Sequence, residues 1–190
     1  MDAEFSPGSK TVILGGNGSG KSTFLQLLSG FLSPSEGELS YSENEVTIDQ
    51  DKLFKLVAIA SPYSAVPEDF TLRELIDFQS KLKPFQKGLS SERIEEALGL
   101  AHHSNKLIRH YSSGMKQRVK LGMAILSTSP LLLLDEPTSN LDREGISWFT
   151  QLIEQYASSR TLVICSNHKE AEMAVCTSQL NISDYKSARL

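Results

Sequence analysis

The sequence predicts an α/β fold, a mainly parallel sheet flanked by helices, with a helical subdomain between its two halves. Three observations carry that reading. Short β-rich apolar runs alternate with segments of helical spacing, the pattern of parallel strands joined by crossovers. The run "LLLL" at 131–134 is apolar without a break, as a strand buried on both faces must be. A glycine-rich turn, "GGNGSG", joins the first apolar run to the first helical one. At 190 residues the chain suits one domain with a sizeable core.

Each element has its local reason. "TVILG" (11–15) is a short apolar strand, and "KSTFLQLLSGFL" (21–32) has helical spacing at Phe24, Leu25, Leu28 and Phe31. "GELSY" (37–41) and "LVAIA" (56–60) read as strands. "TLRELIDFQSKL" opens with Thr71 and has Glu74 three residues on, a capping-box signature. "SERIEEALGL" is a further helix ended by Gly99, and "SSGMKQRVKLGMAILS" a long one that stops before Pro130. The leucine strand follows, then a helix near 143–157 with Trp148 and Phe149 as core residues. The strand "TLVICS" (161–166), a short helix and a weak strand near "SQLNIS" close the series. The alternation places a core at about 1–63 and 128–190, and a helical subdomain at about 64–127.

Composition excludes several classes of function. The formal net charge of -4 is not that of a surface built for nucleic acid or anionic membrane. Cys165 and Cys176 lack any metal-ligand spacing and read as reduced thiols. No apolar run is long enough to span a membrane, and "MDAEFSPGSK" has no signal-peptide core, so a membrane role must come through a partner. His102 and His103 read as surface, and Lys81, Lys83 and Lys87 as a solvated basic face.

The chemistry concentrates in two places. "GGNGSGKST" fits G-x-x-x-x-G-K-[ST] between a strand and a helix. The backbone of Gly15, Gly16, Asn17, Gly18, Ser19 and Gly20 turns N–H groups inward on phosphate oxygens, and the helix start at Gly20 points at the same anion. Lys21 neutralises the β- and γ-phosphates, Ser22 holds Mg²⁺, and Thr23 completes the motif. The second place is Asp135 and Glu136, which end the leucine strand. In a parallel sheet the strand carboxyl ends share one edge, where ligands bind. Asp135 then reaches Mg²⁺ through water, and Glu136 orients and deprotonates the water that attacks the γ-phosphate. Without the glycine-rich loop upstream, the same pair would read as an exposed acidic turn.

These motifs, with three others, resemble the ATP-binding cassette (ABC) ATPases. "YSSGMKQRV" (111–119) is similar to that family's signature, whose commonest form is LSGGQ. "LLLLDEPTSNLD" (131–142) is similar to its second nucleotide motif running into the D-loop, with Asp142 the D-loop aspartate. "SNH" (166–168) resembles its histidine switch, with His168 toward the γ-phosphate. The order and spacing agree from Pro7 to Glu172. The resemblance implies a P-loop NTPase fold, ATP and Mg²⁺ as ligands, and a head-to-tail homodimer or heterodimer of ATPase subunits. Each ATP is then held by the loop of one subunit and by Ser112, Ser113 and Gly114 of the other.

The sequence departs from the family in two respects. Ser61 and Pro62 stand where a glutamine usually couples nucleotide to the helical subdomain, and Pro62 has neither an N–H nor a metal-binding side chain. The usual strands and adenine-stacking aromatic before the phosphate loop are missing, leaving Phe5 as the upstream aromatic; either the chain is a fragment or adenine is held loosely. The implied function is the ATP-hydrolysing subunit of a transporter, at the inner face of a membrane through separate integral membrane subunits, with no nucleic acid. The alternative is a soluble ABC ATPase serving a cytosolic assembly or DNA-handling machine.

Overall fold

The computed structural model describes residues 2–43 and 46–185. Its main sheet has five strands, β1 (Lys10–Leu14), β4 (Val57–Ala60), β5 (Leu131–Asp135), β6 (Thr161–Ser166) and β7 (Ser178–Asn181). They lie in the order β4-β5-β6-β1-β7, and all four pairings are parallel. The register sets Leu14 beside Ser166 and Asp135 beside Cys165, so three carboxyl ends finish side by side with β6 in the middle.

The leucine run is buried on both faces, as its composition demands. Leu132 and Leu134 join one apolar cluster with Leu162, Ile164, Leu72, Ile76, Leu98, Ile125 and Phe149. Leu133 faces the opposite way, with Ile13, Val163, Cys165, Leu25 and Leu28. All three leucines are fully buried, and truncating any one of them to alanine is expected to cost about 2–5 kcal/mol. The first cluster is shared with α3 (Leu72–Leu82), α4 (Ser91–Ala97), α5 (Ser113–Ile125) and α6 (Arg143–Tyr156). The second is closed by α1 (Lys21–Leu28).

Local signals explain most boundaries. Thr71 and Glu74 exchange the two hydrogen bonds of a capping box at the start of α3. The helix that begins at Lys21 is shorter than its apolar spacing predicts. It stops at Leu28, because Gly30 takes a φ of 76° and its N–H bonds Leu27, while Phe31 N–H bonds Gln26. This is a Schellman stop, and it leaves Phe31 exposed instead of in the core. The stretch 37–41 is not a strand. The Tyr41 hydroxyl instead donates to the terminal carbonyls of Leu27 and Leu28 at 3.2 and 3.0 Å. The short antiparallel pair here is β2 (Ser42–Glu43) with β3 (Val46–Thr47). Lys83 also departs from its solvated reading: it is half-buried and its ammonium donates to the Val57 carbonyl at the start of β4. A four-residue helix, α2 (Leu53–Leu56), precedes β4, and α7 (Glu170–Ala174) follows β6.

Candidate active site

The site is built on the loops that leave β1, β5 and β6. After β1, Gly15 is required by close approach: a Cβ there would lie 2.6 Å from Ser19 Oγ and 2.7 Å from Ile182 Cγ2. Gly20, with φ 101°, turns the chain into α1. The first charge inside that turn is Lys21, only 5% exposed. Its Nζ donates to Gly15 O at 2.7 Å, Gly16 O at 3.1 Å and Asn167 Oδ1 at 2.6 Å. The cation is therefore buried without a carboxylate partner among the described residues, and three oxygens hold it in place. Ser19 Oγ is buried in the same loop with no hydrogen-bond partner among the described residues. A glycine-rich turn into a helix, a pinned cation and an orphaned hydroxyl suit a phosphate chain.

From β5, Asp135 points into the same space, beside the Ser22 hydroxyl. Burial raises its carboxyl above the ordinary aspartate value, the Ser22 hydroxyl lowers it, and the neighbouring Glu136 charge raises it again. One hydroxyl and one carboxylate, both hard oxygen donors, fit Mg²⁺, which keeps several waters of its own. Among the described residues no group of three or more His, Cys, Asp or Glu side chains gathers into an all-protein cage. Glu136 follows in a left-handed conformation, φ 45°, rare for a side chain of this kind. Its N–H is held by Cys165 O at 2.9 Å, and its own carbonyl accepts from Ser139 N and Oγ. The turn brings the Glu136 carboxylate to Asn167, the residue after β6.

The loop after β6 contributes residues that the sequence reading did not single out. Asn167 sits between Lys21 and Glu136. Its Oδ1 accepts from Lys21, and its Nδ2 donates to Glu136 Oε1 at 2.6 Å and Asn17 Oδ1 at 2.8 Å. His168, the residue singled out beforehand, is exposed, with φ 61°. No hydrogen bond of its side chain occurs among the described residues. Glu172, fully buried, ties this loop to the turn after β5. It accepts from Thr138 N at 2.9 Å, from Thr138 Oγ1 at 2.6 Å and from Ser166 Oγ. Lys169 Nζ lies 3.9 Å away. A buried carboxylate so fully bonded is a strut between two loops. The position of Asn167 at a strand carboxyl end was a usable signal; nothing in the sequence marked Glu172.

The remaining sequence-derived residues form a second constellation. Ser112 caps α5, its hydroxyl accepting from Met115 N at 3.2 Å, and Ser113 opens the helix. Asp142 caps α6, accepting from Gly145 N at 2.8 Å. Ser112, Gly114, Met115, Arg118, Asn140 and Asp142 line one groove, with no phosphate-loop residue in it. Ser112 and Asp142 are exposed. Gln117 links the two regions from beneath, its buried amide donating to Pro137 O at 2.9 Å. Phe5 packs on Phe24 at 6.2 Å between ring centroids. Ser61 Oγ bonds Ser64 Oγ at 3.0 Å, and the Pro62 carbonyl accepts from Lys120.

Fold and loop together define a nucleotide-binding α/β domain of the P-loop type. The chain belongs to the ABC transporter family, whose family model matches residues 1–139. It is 30% identical over 161 residues to the bacitracin transport ATP-binding protein BcrA of Bacillus licheniformis, covering 84% of this chain and 53% of that protein. It is also 30% identical over 163 residues to the human phospholipid-transporting ATPase ABCA3, covering 84% of this chain and 10% of that one. It thus spans about half the length of the bacterial relative and about a tenth of the human one. Among solved structures, a bacterial ABC transporter cassette described as dimeric superposes with a TM-score of 0.76 at 22% identity, covering 95% of this chain and 84% of that one. A bacterial Atm1-family ABC exporter with ATP bound gives 0.75 at 24% identity, covering 93% and 32%. These two likenesses are of fold. Among the described residues no helix is long and apolar enough to cross a membrane.

Proposed function

We propose that this chain is the Mg²⁺-dependent ATPase engine of a transporter, working as a head-to-tail dimer on integral membrane subunits carried by other chains. One observation carries the reading: Lys21, Ser22, Asp135 and Glu136 converge where β1, β5 and β6 end. Lys21 and the Gly15–Gly20 backbone hold the β- and γ-phosphates. Ser22 and Asp135 would hold Mg²⁺, which supplies charge neutralisation between those phosphates. Glu136 accepts the proton of the attacking water as its oxygen bonds to the γ-phosphorus; the bond to ADP breaks and phosphate leaves. Glu172 and the Glu136 turn hold this geometry on the rigid sheet.

The second constellation supports the dimer. Ser112, Ser113 and Gly114 present a hydroxyl and helix-start N–H groups on a face apart from the chain's own phosphate loop. They serve the nucleotide of the partner, with Asp142 and His168 completing the interface. Phe78 and Leu82, both exposed, are four residues apart on one face of α3, and that face suits the membrane subunit. Attachment to the inner face of a membrane follows from such a partner.

Glu136→Gln tests the assignment. Loss of a positioned base costs about 10²–10⁴-fold in rate, while Lys21, Ser22 and Asp135 still bind Mg-ATP. The variant is expected to hydrolyse at least about 100-fold more slowly and to run as a dimer in Mg-ATP and a monomer without nucleotide, by size exclusion with light scattering. Near-normal hydrolysis removes Glu136 as base; slow hydrolysis without a dimer removes the trans role of Ser112.

A further inference from the structure

We infer that Asn167 is a positioning residue for hydrolysis, whose side-chain amide holds the Glu136 carboxylate in place and keeps it apart from Lys21. This rests on Glu136 being the base. The sequence resemblance drew attention to His168, but the hydrogen bonds to the site run through its neighbour.

The chemistry of the contacts fixes the amide's orientation. An ammonium only donates and a carboxylate only accepts. Between Lys21 Nζ and Glu136 Oε1, each 2.6 Å from the amide, the oxygen must face the lysine and the nitrogen the glutamate. Few side chains can do both at this reach. A hydroxyl is shorter and carries one proton; an aspartate would oppose the glutamate charge. The second amide proton is also used, on Asn17 Oδ1 at 2.8 Å, so rotation of the group is blocked from the phosphate loop itself.

The position of Asn167 makes the contact durable. Ser166 is fully buried at the end of β6, and its hydroxyl accepts from Lys169 N while donating to Glu172. The backbone on both sides of Asn167 is therefore anchored. Without the amide, Lys21 and Glu136 lie within about one amide group of each other, and opposite charges at such range attract strongly in a partly buried site. A direct pair would occupy the cation meant for phosphate and the carboxylate meant for the water. The interposed amide gives each charge a partner and lets neither neutralise the other.

The experiment compares Asn167→Leu and Asn167→Asp, alone and combined with Glu136→Gln, measuring kcat, KM and Mg-ATP affinity by calorimetry. Both single variants are expected to lose at least about tenfold in kcat, a hydrogen bond to a charged group being removed. In Asn167→Leu, Mg-ATP affinity should fall together with kcat, since Lys21 is then drawn onto Glu136, and adding Glu136→Gln should restore the affinity. In the Glu136→Gln background neither change should slow residual hydrolysis further, because residues acting through one another do not add. Asn167→Asp has the same shape as the native residue, so folding of at least one variant is secured, and thermal melts check both. A kcat within about twofold of the parent, or a loss that adds in full to that of Glu136→Gln, overturns the proposal. If Glu136→Gln itself hydrolyses normally, the base assignment falls, and this role with it. A slow Glu136→Gln beside a fast Asn167→Leu removes this role alone.

Discussion

Asp135 bears opposed demands from folding and from chemistry. It is 3% exposed, and desolvation is the largest influence on its carboxyl, pushing it upward; the Ser22 hydroxyl opposes this, and Glu136 adds to it. A carboxyl whose value in the folded chain exceeds its unfolded value binds more protons folded than unfolded. Its contribution to stability is then favourable at low pH and falls as pH rises through the raised value. At neutral pH the ionised form therefore costs stability, and a bound cation would offset the cost. Asp135→Asn, which keeps an oxygen for Ser22, is expected to melt higher than the parent at pH 7 without Mg²⁺. The gain should vanish below the unfolded value, and Mg-ATP should no longer raise the melting temperature. A lower melting point at pH 7 without nucleotide would show that the charge itself stabilises the fold. Glu172, also buried, is met by three donated hydrogen bonds.

At the scale of elements, α5 joins the groove to the core, and its two ends are finished by different means. Ser112 satisfies an N–H at the start. At the other end the buried Arg160 guanidinium donates to Ile125 O at 2.5 Å and Ala124 O at 3.4 Å, placing a cation at the negative end of the helix. That burial lowers Arg160 to about 10. Along its length α5 approaches α4 at Gly122, where a Cβ would lie 1.8 Å from Leu98 Cδ2. Leu98 is fully buried in a close-packed core. Gly122→Ala is therefore expected to cost about 1–3 kcal/mol, the range of overpacked cores, despite alanine's better helix propensity. The measurement is the urea midpoint at unchanged m-value. Adding Leu98→Ala to Gly122→Ala should remove the clash, and the two losses should fail to add. A neutral Gly122→Ala would mean that the two helices separate readily.

Over the whole molecule, the two constellations occupy different places. One lies on the sheet edge and is complete in its own loop, cation and carboxylates; the other is an exposed groove at two capped helix starts. Ser112→Arg separates them. The long cation at an exposed position should leave Mg-ATP affinity of the single chain within about twofold, since no contact to the phosphate loop is touched. It should abolish the nucleotide-dependent dimer when introduced into Glu136→Gln, seen by light scattering. A dimer that persists in this double variant would place the contact elsewhere than the Ser112 face. On α3, Phe78 and Leu82 are exposed, and the proposed membrane subunit would meet the chain there.

By itself the sequence determined the five strands of the main sheet and made the glycine-rich loop and the paired carboxylates legible, because each is a local pattern. A run of leucines buried on two faces, a glycine loop between strand and helix, and a capping box at Thr71 need no distant partner to be legible. The boundaries that it misjudged turned on hydrogen bonds made across space. The segment 37–41 satisfies the end of α1 through Tyr41 instead of pairing as a strand, and Lys83 is drawn to the Val57 carbonyl. Only the tertiary structure decided how β6 comes to lie between β1 and β5, and that order brings Asn167 between Lys21 and Glu136. It also decided that Glu172, four residues past His168 in an ordinary-looking helix, is a fully buried strut to Thr138. The physical reason is common to both. A hydrogen bond across two loops depends on strand order and register, which arise from packing of the whole sheet, whereas a phosphate loop or a cap closes within a few residues of its own chain.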